Sequence, residues 1–288
     1  MASDEYQFPG SPAVSVILPA CNESALIGAC LKALLASDWP GDSPAPEVIV
    51  IANGCIDDTA ERARGFVEGF AARGWSLRVI ERAEGGKLAA LNAGDAEAGS
   101  GIRIYLDADV TVSKALLAQL HAALSRPGAR YASGRLRITA HGWAARAYAR
   151  TWRQVPFMSD GVPGCGVFAV NAEGRARWPE FPDIISDDTF VRLSFTPDER
   201  ASVPAHYEWP IAEGLAALVR VRRRQDAGVA EVGKLYPRLL GNDDKLPLSA
   251  IGKLRMALRD PIGFAVYSGV ALLVRLTPQV RPEWSRSR

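Results

Sequence analysis

The chain is poor in the residues that most often announce catalysis. Its 288 residues include only 3 histidines and 4 cysteines. A histidine-based catalytic machine is therefore not expected. Cys21, Cys30, Cys55 and Cys165 form no C-x-x-C pair and stand at no ligand spacing with histidine. That pattern argues against structural zinc and for a reducing compartment. No internal repeat and no low-complexity tract interrupts the chain. The opening residues, MASDEYQFPGSPA, hold neither a basic nor an apolar stretch, so no signal peptide is expected. The late apolar run Ile262–Leu276 is shorter than the about 20 residues a membrane-spanning helix needs.

Apolar residues make up 48% of the composition, enough to bury a large core in one or two α/β units. Charge is divided unevenly. Residues 1–199 carry 19 Lys/Arg against 24 Asp/Glu, a net of −5, and residues 200–288 carry 15 against 8, a net of +7. A basic C-terminal third suits a polyanionic partner, either phosphates or an anionic membrane surface. A solvated basic tail reads the same way.

The first 110 residues alternate strand and helix signals. Val14–Leu18, Glu47–Ile51, Leu77–Ile80 and Ile102–Leu106 read as short buried strands. Between them, Ser24 is placed to cap a helix with Ile27, Cys30, Leu31 and Leu34 on one face. Asp57 or Asp58 caps a second helix that Gly74 ends. A Gly85-Gly86 turn opens a third, from about Lys87 to Ala98, and Ser113 caps a fourth. Farther on, Arg135–Thr139 reads as a strand and His141–Val155 as a helix rich in Trp and Arg. Gly161–Val170 reads as a glycine-rich turn feeding a strand, and the stretch from Asp226 onward as helices. Apolar strands joined by helices predict a mostly parallel sheet covered on both faces. Ligands of such sheets bind at the carboxyl ends of the strands. Polar groups gather at those ends: Asn22 and Glu23, then Asn53, then Lys87, then Asp107 and Asp109.

Each group has a chemical reading and a plain one. Asp107-Ala-Asp109 can address a hard divalent cation and so neutralise a diphosphate; Asp109 serves equally as a helix cap. Lys87, at a helix start behind a flexible turn, favours phosphate oxygens; a surface lysine would look the same. Asp187-Asp188 is an adjacent carboxylate pair, one member of which can serve as a general base, or either can cap the following helix. Arg220, Arg222, Arg223 and Arg224 can clamp a leaving diphosphate, or form a solvated or membrane-facing basic patch. Cys165, between two glycines and far from any histidine, reads as a small buried residue.

Together these motifs resemble the family 2 glycosyltransferases. The resemblance rests on Pro19-Ala-Cys-Asn-Glu23, Ala52-Asn-Gly-Cys-Ile-Asp-Asp-Thr59, Gly86-Lys-Leu-Ala-Ala-Leu-Asn92, Asp107-Ala-Asp109 and Ser186-Asp-Asp188, in that order, over about residues 12–225. It implies a GT-A, Rossmann-like sheet flanked by helices, with a nucleotide-sugar-binding half at 12–112, an acceptor and catalytic half at 113–225, and a helical extension at 226–288. It implies an inverting, non-processive transfer from a nucleotide-diphosphate sugar, UDP-sugar favoured, to a hydroxyl of a glycan or lipid-linked acceptor, and no nucleic-acid partner. Pro19, Ala20, Asn22, Glu23, Asn53, Lys87, Asp107 and Ala108 would hold the donor, and Asp109 would ligate Mn²⁺ or Mg²⁺. Asp188 would be the base, with Asp187 where the family has Glu. Gly164, Cys165, Gly166, Arg222 and Arg224 would border the acceptor or phosphates.

Three departures matter. Asn53 stands where the family has an acidic base-reading residue. The Gln-x-x-Arg-Trp motif of processive synthases is absent. So are their several spanning helices. A sugar-nucleotide-forming nucleotidyltransferase would need a glycine-rich loop with Arg after the first strand, where this chain has Pro-Ala-Cys-Asn-Glu. A non-catalytic nucleotide-sugar-binding protein would not need both Asp109 and Asp188. The expected location is the cytoplasm, peripheral at the inner face of the cell membrane through 250–276. For Ile262–Leu276, a helix lying on a membrane and a helix closing the core remain equal readings.

Overall fold

Burial of the apolar runs decides the first half of the architecture. The computed structural model describes residues 11–159 and 161–277. In chain order come β1 (Ser15–Ala20), α1 (Ile27–Leu35), β2 (Glu47–Asn53), α2 (Thr59–Arg64), α3 (Val67–Ala72), β3 (Ser76–Arg82), α4 (Lys87–Glu97) and β4 (Arg103–Leu106). β1 and β2 are buried at every residue, as interior parallel strands must be. β1 pairs parallel with β2 on one side and β4 on the other. The chain therefore reverses its direction of growth at β1, and that switch point opens a crevice beyond the strand ends. α1 packs through Ile27, Cys30, Leu31 and Leu34, the predicted face. α4 lies on β1 so closely that a Cβ at Gly94 would stand 3.4 Å from two further carbons of Ile17 and overlap its Cγ2.

The second half interleaves directions. It comprises β5 (Thr111–Val112), α5 (Leu116–Leu124), β6 (Tyr131–Thr139), α6 (Trp143–Trp152), α7 (Pro156–Ser159), β7 (Val167–Val170), α8 (Ala172–Arg175), α9 (Asp187–Leu193), β8 (Arg200–Pro210), α10 (Leu215–Leu235), α11 (Ala250–Arg259) and α12 (Pro261–Leu276). One eight-stranded sheet runs β3-β2-β1-β4-β7-β6-β8-β5. Its first four strands are parallel; β7 then runs antiparallel to both β4 and β6, and β5 antiparallel to β8. Six of the eight strands run the same way and β7 and β5 run against them, so the sheet is mostly parallel as expected, flanked by helices and followed by C-terminal helices.

Several local expectations need correcting. Ser24 caps nothing: Leu26 precedes α1, and the Ser24 amide instead donates to Asp57 Oδ2. Ser113 does not cap α5, because its Oγ accepts from the His206 amide and stitches β8 in place. The helix expected to run to Gly74 is two short ones, α2 and α3. The boundary drawn between 225 and 226 cuts through α10, which begins at Leu215 and carries the arginine run. β8, the longest strand, was not anticipated. α12 matches the late apolar run; Asp260 Oδ1 caps it by accepting from the Gly263 amide at 2.9 Å. Among the described residues, no helix is long and apolar enough to cross a membrane.

Candidate active site

The strand ends around the switch point converge as the sheet geometry requires. Two clefts open there. An outer cleft of about 690 Å³ is lined by Pro19, Asn22, Glu23 and Asn53 from the β1 and β2 ends, by Gly86 and Lys87, and by Asp107, Ala108 and Asp109. A narrower inner cleft of about 120 Å³ is lined by Gly164, Cys165 and Gly166, by Asp188, and by Arg222 and Arg224. Lys87, Asp107, Asp109, Asp187 and Arg224 border both. All but one of the predicted site residues therefore meet. The exception is Ala20, which is buried inside β1 and lines neither cleft.

Lys87 is the hub. The Gly86 turn (φ 142°) starts α4 and aims the ammonium at two carboxylates: Nζ lies 3.0 Å from Asp107 Oδ1 and 3.1 Å from Asp187 Oδ2. Burial opposes the Lys87 charge, but Asp107 and Asp187 outweigh it and hold the ammonium well above its usual range. The carboxylates are the strained partners. Burial pushes Asp107 up, Lys87 pulls it down, and Asp109 and Asp188 push it up again; the net direction is upward. Asp187 follows the same pattern, with Asp188 and Asp107 as its like-charged neighbours. Asp187 Oδ2 is buried against the Lys87 ammonium. Asp107, Asp187 and Asp188 act on the Lys87 ammonium and Asp109 presses on Asp107, so like charges crowd this point.

The donor set suits a hard divalent ion. The available donors are all carboxylate oxygens, the chemistry Mg²⁺ and Mn²⁺ prefer. No group of three or more His, Cys, Asp or Glu able to hold a metal occurs among the described residues. A divalent ion bound here would thus need ligands from substrate phosphates, the usual arrangement for such ions.

Asn53 is a stitch. Its Nδ2 donates to the Ala20 carbonyl at 2.9 Å and to Ile51 at 3.3 Å, and its Oδ1 accepts from the Gly86 amide at 2.9 Å. It therefore ties the β1 end to the turn that positions Lys87. Gly54 beside it must be glycine: at φ 58° a Cβ would stand 2.8 Å from the Gly85 backbone. Asn22, the one non-glycine residue with positive φ among those described, accepts from the Ile56 amide at 2.7 Å and fixes the β1 loop to the β2 loop.

Asp188 sits in the first turn of α9. Its Oδ1 accepts from Ser186 Oγ and from the Thr189 amide, each at 2.7 Å. The Cys165 thiol also hydrogen-bonds Asp188; burial first, and that carboxylate second, push the thiol far up. Gly166 locks this loop to the end of β4, its carbonyl accepting from the Asp107 amide at 2.8 Å. Arg222 Nε donates to Asp226 at 2.8 Å, and its Nη1 reaches the hydroxyls of Tyr148 and Tyr267 at 3.4 Å each.

Sequence reasoning missed the aromatic wall of the inner cleft. Trp209 from β8, and Trp152 and Tyr148 from α6, line it. Their rings touch in series, Trp209 to Trp152 at 5.5 Å and Trp152 to Tyr148 at 5.4 Å. The one signal was the Trp- and Arg-rich composition of α6; Trp209 lay on the strand that was not anticipated.

The switch-point crevice gathers Lys87 and the Asp-x-Asp of the adjoining strand end in one place. Comparison with known proteins gives the family. Residues 15–168, over half of the chain, match the family described as glycosyl transferase family 2, and the chain belongs to that family. It is 32% identical over 129 residues to the glycosyltransferase AglE of Haloferax volcanii, a match spanning 44% of this chain and 40% of AglE. The chain thus spans less than half the length of that curated relative. In fold it is similar to the mannosyltransferase PcManGT of Pyrobaculum calidifontis, solved with GDP-Man and Mn²⁺: TM-score 0.56, 19% identity, 94% of this chain and 77% of that one. It is likewise similar to glucosyl-3-phosphoglycerate synthase of Mycobacterium tuberculosis, solved with Mn²⁺, UDP and glucosyl-3-phosphoglycerate: TM-score 0.53, 22% identity, 82% of each chain.

Proposed function

We propose that the protein moves a sugar, with inversion, from a nucleoside diphosphate donor in the outer cleft to an acceptor hydroxyl in the inner cleft. One observation carries this reading: the two clefts share Lys87, Asp107, Asp109 and Asp187, while Asp188 lines only the inner one. A donor whose diphosphate lies at the shared residues presents its anomeric carbon toward Asp188.

Asp109, beside Asp107, would hold Mn²⁺ or Mg²⁺, which supplies charge neutralisation to the donor diphosphate when bound. The neighbouring structures solved with Mn²⁺ support that choice of ion. Lys87 is positioned for the phosphate oxygens, and Arg224 borders the same region. Pro19, Asn22 and Glu23 form the nucleoside end. Asp188 would take the acceptor proton while that oxygen attacks the anomeric carbon; the bond to the diphosphate oxygen breaks and the diphosphate leaves. The Trp209–Trp152 wall gives the acceptor an apolar face to stack on, suited to a glycan or a lipid-linked sugar. UDP-sugars are the first donors to try. Because Asn53 spends its amide within the protein, discrimination of the base must come from elsewhere in the outer cleft.

The test is Asp188→Asn. Donor binding, read by thermal shift across UDP- and GDP-sugars with Mn²⁺, stays at the parent level, while transfer falls by roughly 10²–10⁴-fold. Full turnover by the variant would remove Asp188 as base.

A further inference from the structure

The C-terminal helix pair carries its apolar side chains on the wrong side for a core. In α11, only Met256 is buried, whereas Ile251, Leu254 and Leu258 are 61–76% exposed. Their spacing of three and four residues places all three on one helix face, turned away from Met256. α12 repeats the pattern. Gly263 and Val270 face inward, and Val270 joins the cluster around Tyr148 and Ala212. Ile262, Leu272 and Leu276 face outward and are more than half exposed. α12 thus closes a core on one side and presents a second aliphatic stripe on the other.

Charge decides what covers this face. Residues 245–277 hold five cations, Lys245, Lys253, Arg255, Arg259 and Arg275, and a single acid, Asp260. Arg150 neutralises that acid through two hydrogen bonds, at 2.6 and 3.2 Å. Lys253, Arg255 and Arg259 are exposed on the same short helix as the aliphatic stripe. A second copy of the chain would bring this cationic surface against itself, which a two-fold interface cannot relieve. An anionic surface with an apolar interior satisfies both parts of the pattern.

We propose that the outward face of α11 and α12 docks on an anionic lipid bilayer, the helices lying in the headgroup region without crossing. The helix lengths fit, since neither is long enough to span, and basic amphipathic helices bind in this manner. Docking also has a route to the active site. Tyr267 of α12 meets Tyr148 in a tilted ring contact at 5.2 Å, and Tyr148 continues into the aromatic wall of the inner cleft. The face thus brings a bilayer close to the proposed acceptor side. Docking does not depend on the proposed transfer and is measured without it.

The experiment is flotation of the full chain with vesicles of phosphatidylcholine alone and of phosphatidylcholine mixed with phosphatidylglycerol, with the oligomeric state measured in parallel by light scattering. The parent floats with the anionic vesicles, and added salt weakens the association. The double variant Leu254→Glu/Leu258→Glu lowers bound protein at least about tenfold, with its melting temperature and donor binding unchanged because both side chains are exposed. Arg255→Gln/Arg259→Gln lowers binding to anionic vesicles by roughly tenfold or more, at about fivefold per charge. Equal flotation of parent and leucine variant, or no preference for the anionic vesicles, overturns the proposal. A dimer that the leucine variant dissociates, without flotation of the parent, overturns it in favour of self-association.

Discussion

The outer and inner clefts share a floor but are built differently. The outer one is built mainly from the ends of β1, β2 and β4, neighbours in one parallel layer, and from the turn before α4, with Asp183, Asp187, Arg224 and Glu231 closing it from the α9 region and α10. On the sheet side its polar residues sit within a few positions of a strand end. The inner one draws on α6, the Cys165 loop, α9, β8 and α10, elements far apart in the chain. Its walls are aromatic, and its polar residues face inward from several directions. On the proposed reading, donor recognition rests largely on groups at strand ends, and acceptor recognition on long-range packing. Changes in the first should alter donor binding alone, and changes in the second should alter acceptor use alone.

Lys87→Met should break that division most strongly, because Lys87 belongs to both clefts. Removing a charge-assisted contact costs about 1.5–3 kcal/mol, so donor affinity measured by calorimetry should fall by roughly 10–100-fold. The same variant leaves Asp107 and Asp187 facing each other without their ammonium. An unchanged donor affinity would deny Lys87 its phosphate role.

Trp209→Ala should sharpen the division. It removes the stacking face of the inner cleft and should raise acceptor KM by about tenfold, in line with ring-stacking energies of about 0.5–1.5 kcal/mol, while donor affinity holds. Trp209→Phe should recover most of the loss, which separates stacking from general loosening of the fold. A matching fall in donor affinity would show the clefts to be one unit.

The smallest effect is on stability. Asp187 is a buried carboxylate held above its ordinary value of 3.8, first by burial and then by Asp188 and Asp107 against the pull of Lys87. A carboxylate raised on folding stabilises the folded state at acid pH and loses that contribution as pH rises through its folded value. Asp187→Asn should therefore melt higher than the parent at neutral and mildly alkaline pH. The difference should shrink to nothing as pH falls toward 3.8. The opposite pH trend would mean that the ion pair with Lys87 dominates burial.

The same contrast explains what could be read from the chain. The four parallel strands were legible to within about two residues, since continuous apolar runs such as EVIVI have no other easy fate. The polar residues after them followed from the sheet rule. β8 was hidden because its alternation is thin: Val203, Ala205 and Tyr207 point inward, but Pro204 interrupts the run. That proline is tolerated beside a register shift in the pairing with β6, where a ladder bond is already lost. Trp209 and the inner wall were hidden with the strand. The stitching of Asn53 was hidden for another reason, as a motif names a residue but not which of its atoms are already bonded. The outward aliphatic face of α11 needed the structure too, because an amphipathic pattern does not say which side meets the protein.

On the proposed reading, donor and acceptor chemistry divide between Asp109 and Asp188. Calorimetric titration of a donor sugar nucleotide in the presence of Mn²⁺, into Asp109→Asn and Asp188→Asn side by side, separates the two roles. Asp109→Asn should lose most of the Mn²⁺-dependent donor affinity and Asp188→Asn should keep the parent value. Loss of donor affinity in Asp188→Asn, or its full retention in Asp109→Asn, would contradict it.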